Sequence, residues 1–165
     1  MLPALIGLSI SPDPGEPTQN PFHRFQGEWV MKDGIFETYF DGVYSENVDT
    51  SRLLIAKSNT DFDILWHIDI VSSHGIIFWT FDNIRNEVHH LSSNSSGNMA
   101  AGKGAFSDNG DLSIKIVHED ACDTCFRMYN FKFISEDEIF FRSVQYEGQK
   151  ENGDYYGGIF VRRGI

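Results

Sequence analysis

Apolar residues along this chain return at every second position far more often than at every third or fourth. In residues 61–70, Phe62, Ile64, Trp66, Ile68 and Ile70 fall on one face and Asp61, Asp63, His67 and Asp69 on the other, the pattern of a half-buried strand. Residues 111–116 alternate as cleanly, with Leu112, Ile114 and Ile116 in phase. Residues 75–81 are β-rich and apolar on both faces. Residues 87–93, 125–134, 138–146 and 155–163 extend the series, and 98–106, thinned by glycine and alanine, is its weakest member. Turn residues punctuate these runs: Asp108-Asn109-Gly110-Asp111 reads as a hairpin, and 135–137 and 147–153 as further turns. Two more short runs lie between Trp29 and Lys57, which brings the count to about eight to ten strands, with no stretch of helical period. The pattern predicts an all-β fold, a single antiparallel up-and-down barrel.

The start of the chain has a different character. Residues 11–21 contain four of the five prolines among polar and turn residues. This predicts an irregular N-terminal segment over 1–21 and a barrel domain over 22–165, with a short helical turn near 21–26 as its lid. At 165 residues and 41% apolar content, one domain with its own core is expected. Asp and Glu number 24 against 13 Lys and Arg, a net charge of −11 that repels phosphate backbones and anionic lipid heads. Neither nucleic acid nor a membrane surface is therefore an expected partner. No apolar run approaches the ~20 residues of a spanning helix, and residues 1–10 lack the basic start and cleavage site of a secretory leader. The expectation is a soluble, cytoplasmic monomer or homodimer.

Phe25-Gln26-Gly27-Glu28-Trp29 opens the first strand and Gly158-Ile159-Phe160-Val161-Arg162 closes the last. With Trp79-Thr80-Phe81-Asp82 and Asn109-Gly110-Asp111-Leu112 between them, the chain resembles the lipocalin-like (calycin) barrels over roughly residues 22–163. Within that superfamily it is similar to an uncharacterised domain-of-unknown-function group and, more distantly, to fatty-acid-binding proteins. The resemblance implies a barrel sealed by Gly27, Trp29 and Arg162, with the adjacent Arg163 as the other arginine that could cover the indole. The glycine permits a tight turn, the indole plugs the closed end, and a guanidinium from the last strand covers the indole face. It also implies a cavity for one small apolar ligand.

Strand alternation further indicates which polar side chains share the phase of the core. His118 continues the phase of Leu112, Ile114 and Ile116; Arg127 and Tyr129 lead into Phe131 and Phe133; His90 shares its phase with Val88. Arg142 and Tyr146 share theirs with Phe140 and Val144, although Ile139 and Phe141 make the opposite phase nearly as good. Trp66 and Trp79 belong to the core and so to any cavity wall. These eight residues are the candidate ligand contacts. An Arg-x-Tyr pair on one face suits a carboxylate, because guanidinium and phenol both donate to it, and the resemblance implies the same chemistry, since fatty-acid-binding proteins hold carboxylates this way. The functional expectation is a binding module for a small hydrophobic molecule with an anionic head, using no cofactor.

Two alternatives stay open. One is a small enzyme of isomerase or lyase type, with His118 or His90 as the acid-base in the same cavity. The other, implied by a related barrel group, is a haem barrel using one of His67, His74, His90 or His118. No nucleophile elbow or zinc-protease helix is present, and Gly102-Lys103-Gly104 is too short for a phosphate loop, so no catalytic residue is assigned. His118, Cys122 and Cys125 supply three ligands where a structural zinc takes four, and no metal is expected. Cys122-Asp123-Thr124-Cys125 reads as a thiol pair in a hairpin loop, with a disulfide or redox-active pair as the other option.

Overall fold

A computed structural model describes residues 20–48, 53–58, 60–70 and 73–164; all but the last two residues of the expected irregular lead lie outside these. After a 3-10 turn at His23–Phe25 come twelve extended segments. They are β1 (Gly27–Met31), β2 (Ile35–Phe40), β3 (Val43–Val48), β4 (Leu53–Lys57), β5 (Asp63–Ile70) and β6 (Ser73–Asp82), then β7 (Glu87–Asn94), β8 (Met99–Phe106), β9 (Leu112–His118), β10 (Cys125–Phe133), β11 (Glu138–Glu147) and β12 (Lys150–Arg162). β1 and β2 are halves of one stave, kinked by a 3-10 turn at Lys32–Gly34 where Asp33 takes φ 54°. β3 and β4 face them in the same register, from Phe40↔Val43 to Ile35↔Val48 and from Val30↔Leu53 to Gly27↔Ala56. Ten staves result, each antiparallel to its neighbours, and β1 closes the barrel on β12. The up-and-down barrel read from the alternation is the fold observed.

The turn expected over residues 147–153 is confined to Gly148-Gln149. β11 runs on to Glu147, the chain reverses at Gly148-Gln149, and β12 begins at Lys150. The turn chemistry of Asn152-Gly153-Asp154 makes a bulge instead: the Asp154 N–H bonds Asn152 Oδ1 at 2.9 Å, and pairing with β11 jumps from Val144↔Tyr155 to Tyr146↔Glu151.

One end of the barrel is filled with rings. Phe25, fully buried in the 3-10 turn, packs against Trp66, Trp79, Phe106, Phe131 and Phe133 with centroids 4.8–6.3 Å apart. The Trp29 indole N–H reaches back to the Phe25 carbonyl at 2.8 Å, tying this plug to the first strand. Arg162, opposite Trp29 in the β1–β12 ladder, lays its guanidinium 4.3 Å over the indole. The same guanidinium donates to the carbonyls of Gln26, Arg24 and Glu136 and to the Asp137 carboxylate. A Cβ at Gly27 would stand 2.7 Å from Arg162 Nη1, so only glycine admits this seal. Arg162, not Arg163, makes the closure the sequence implied.

The other end is open. There the β2–β3 hairpin is held to β12 by three register pairs, Glu37↔Gly157 to Tyr39↔Tyr155, and the outer edge of β3 has no strand partner among the described residues. No helix among those residues is long and apolar enough to cross a membrane.

Candidate functional site

The interior holds two chambers that share a wall. The inner one, about 60 Å³, rests on Trp29, Trp66, Trp79 and Phe131. The outer one, about 390 Å³, rises to the open end between Phe36, Thr38 and Phe40 of β2 and the facing ends of β6, β7 and β8. Tyr129 and Phe141 belong to both. Among the described residues no Asp, Glu, Lys or Arg lines either chamber, so the surface offered to a guest is largely apolar, with a few hydroxyls, the amides of Asn94 and Asn98 and one imidazole.

Behind this lining stands a polar cluster built by alternation. β10 turns Arg127, Tyr129 and Phe131 inward, and β11 turns Phe141 and Ser143 inward beside them. Arg127, 9% exposed, donates from Nε to Ser143 Oγ at 2.7 Å and from Nη1 to Gln145 Oε1 at 3.0 Å. Both acceptors are neutral. No carboxylate pairs with this guanidinium among the described residues, and its buried Nη2 has no hydrogen-bond partner. Its faces rest on aromatic rings instead, 4.6 Å from the centroid of Tyr156 and 5.7 Å from that of Phe40. The Tyr129 and Tyr156 hydroxyls bond each other at 2.6 Å. Burial, then the neighbouring Tyr156, hold the Tyr129 phenol well above the ordinary tyrosine range, so it stays protonated and one hydroxyl proton of the pair is free for another acceptor.

His90 projects inward from β7 and is 1% exposed. Its Nδ1 accepts the Trp79 indole N–H at 2.9 Å, so the ring proton sits on Nε2, which is buried without a partner. Burial, with His118 adding, lowers its pKa to about 4, and the ring is neutral at pH 7. Ligation of iron through Nε2 would need the other tautomer and would break the Trp79 bond. His118 lines the outer chamber, its pKa lowered by burial and then by the charge of Arg127.

Six of the eight candidate contacts thus gather at the interior: Trp66 and Trp79 at the floor, Tyr129 between the chambers, His118 in the outer one, His90 and Arg127 just behind. Arg142 and Tyr146 do not. The inward phase of β11 is Ile139, Phe141 and Ser143, which leaves both outside; Arg142 lies 3.9 Å over the Tyr155 ring and Tyr146 stacks on Phe126 at 5.1 Å. His67 and His74 are exposed, the latter paired with Asp69 at 2.9 Å. Tyr156, Phe40 and Ser143 join the site without having been among the sequence candidates. The phase of Arg162 and Phe160 runs through Tyr156, and that of Phe36 and Thr38 through Phe40, so the alternation does carry a signal for both. Cys122 and Cys125 are joined as a disulfide, which leaves no thiolate there for a metal.

No known family profile matches this chain, and no curated protein matches it. Solved structures do. The crystal structure of Rv2717c from M. tuberculosis is similar at a TM-score of 0.60 and 13% identity, over 87% of this chain and 95% of that one. A de novo designed fluorescence-activating β-barrel aligns at a TM-score of 0.37 and 13% identity, over 87% and 98%, too distant to carry an argument. At such identities the likeness concerns fold alone: the chain is a closed ten-stranded antiparallel barrel, an architecture consistent with calycin-like barrels.

Proposed function

We propose that this protein binds a small hydrophobic molecule with an anionic head, the head meeting Arg127 and the Tyr129–Tyr156 hydroxyls and the apolar body lying in the chambers below. One observation carries the reading: a buried guanidinium with only neutral partners among the described residues, at the edge of a cavity whose described lining carries no charge. A buried charge is retained at a cost of several kcal/mol unless something compensates it, and arginine cannot shed its proton. An incoming anion supplies that compensation. Phe40, 41% exposed at the tip of β2, lies over the guanidinium and is the group the head displaces. The calycin-like resemblance supports the same reading, since such barrels enclose apolar guests.

Anilinonaphthalene sulfonate and its uncharged relative N-phenyl-1-naphthylamine separate head from body. Arg127→Met should weaken the sulfonate by roughly tenfold to a hundredfold, the worth of charge-assisted hydrogen bonds, and leave the neutral probe unchanged. Equal sulfonate affinity in wild type and variant would remove the anionic head from the proposal.

A further inference from the structure

We propose that the Cys122–Cys125 disulfide is a thiol-exchange site whose reduction loosens the mouth of the barrel; the part of this that concerns a ligand rests on the binding reading above. The disulfide joins Cys122, in the loop after β9, to Cys125, the first residue of β10. Cys122 is exposed and Cys125 half-buried, so the Cys122 sulfur is the one an external thiolate reaches. Attack forms a bond from that thiolate to Cys122 Sγ, breaks the Cys122–Cys125 bond and releases Cys125 as thiolate. A second external thiolate then attacks the first, leaving two protein thiols, once protonated, and an oxidised external disulfide. The co-reactant is by class a dithiol or two monothiols. Cys125 borders a surface hollow of about 210 Å³ that Asp123 and Lys115 also line, the Lys115 ammonium lying 4.1 Å over the Phe126 ring.

The loop is placed to transmit the change. β9 ends at His118, on the wall of the outer chamber, and Cys125 stands two residues before Arg127. The Ala121 N–H bonds the His118 carbonyl at 3.1 Å and the Cys125 N–H the Cys122 carbonyl at 2.9 Å. Outward, the Glu119 N–H bonds the carbonyl of Met99, another residue of the outer chamber, and the Gly148 N–H bonds that of Thr124. The disulfide therefore pins a short turn whose two arms carry His118 and Arg127. Opening it returns conformational freedom to both.

The full chain is compared oxidised, reduced with dithiothreitol, and as the Cys122→Ser/Cys125→Ser variant, by amide hydrogen exchange and by anilinonaphthalene sulfonate titration. Reduction should speed exchange across residues 117–127 by on the order of tenfold and weaken the probe about fivefold. The double variant should match the reduced protein and ignore the reductant. A disulfide that the reductant cannot open in the folded barrel, or exchange unchanged by its opening, overturns the proposal. Faster exchange with unchanged probe affinity overturns the link to the ligand. If the oxidised protein binds no probe, it is the binding reading that falls, and the exchange data decide the rest.

Discussion

His90 and Arg127 are both buried, yet they meet burial in opposite ways. The imidazole gives up its charge, and the Trp79 indole fixes which nitrogen keeps the remaining proton. The guanidinium keeps its charge and spreads it over Ser143, Gln145 and two aromatic faces. The difference predicts a pH dependence. Because the folded-state pKa of His90 lies below the unfolded one, its neutral form carries no penalty above pH 6.5; below that, the unfolded chain takes up the proton first. Stability is then lost progressively as pH falls from 6.5 to about 4, by about 3 kcal/mol in all. His118, lowered in the same direction, adds to the loss. His90→Gln preserves an acceptor for Trp79 and cannot titrate, so its urea midpoint should fall less between pH 7 and 4.5 than that of the wild type. Parallel curves for the two proteins would mean that His90 is not the titrating group.

Among the elements, strand β8 shows how closely the staves are fitted. Its inward positions include Gly102 and Gly104, and a Cβ on Gly104 would stand 2.7 Å from the Ile114 Cα of β9, with the Gly102 equivalent 3.0 Å from Ile116 Cα. Since backbone and not a flexible side-chain tip is in the way, Gly104→Ala should destabilise the fold by about 1–3 kcal/mol in urea unfolding. A neutral result would show that β8 and β9 can part without loss. This stretch is the weakest strand in the sequence for the same reason that it packs so tightly: without side chains, two backbones meet and the alternation is hard to see. Elsewhere most strands are legible because each has one wet and one dry face. β11 is the exception at the site. Its outer face carries Phe140 and Val144 beside the neighbours of Arg142 and Tyr146, so both phases look apolar in the sequence and the outer one mimics a lining. The Lys32–Gly34 kink and the bulge at Asn152-Gly153-Asp154 are not legible either, because they answer to barrel closure, a constraint between strands distant in sequence.

For the molecule as a whole, the strands pair around the sealed end, whereas at the mouth the described residues leave one edge unpaired, and the difference bears on behaviour in concentrated solution. Strand β3 is six residues long and its outer edge has no strand partner among the described residues, so alternate residues turn their backbone N–H and C=O outward, with Val43, Tyr44 and Val48 exposed beside them. Such a rim invites a second copy to zip onto it. What opposes this is sign: the hairpin of residues 35–48 carries Glu37, Asp41 and Glu46 and no lysine or arginine, on a chain whose net charge is −11. Two rims approaching each other bring like charges together, and that barrier is only as long-ranged as the ionic atmosphere allows, about 3 Å in 1 M salt. Sedimentation at pH 7.5 should therefore show the average mass rising as sodium chloride goes from about 0.02 to about 1 M, and Glu46→Val should reach the same association at lower salt. A mass that stays constant across that range would mean that something other than mutual repulsion keeps the rims apart. If it does rise, the acidity of this protein is in part a colloidal safeguard for an unpaired end of its described sheet.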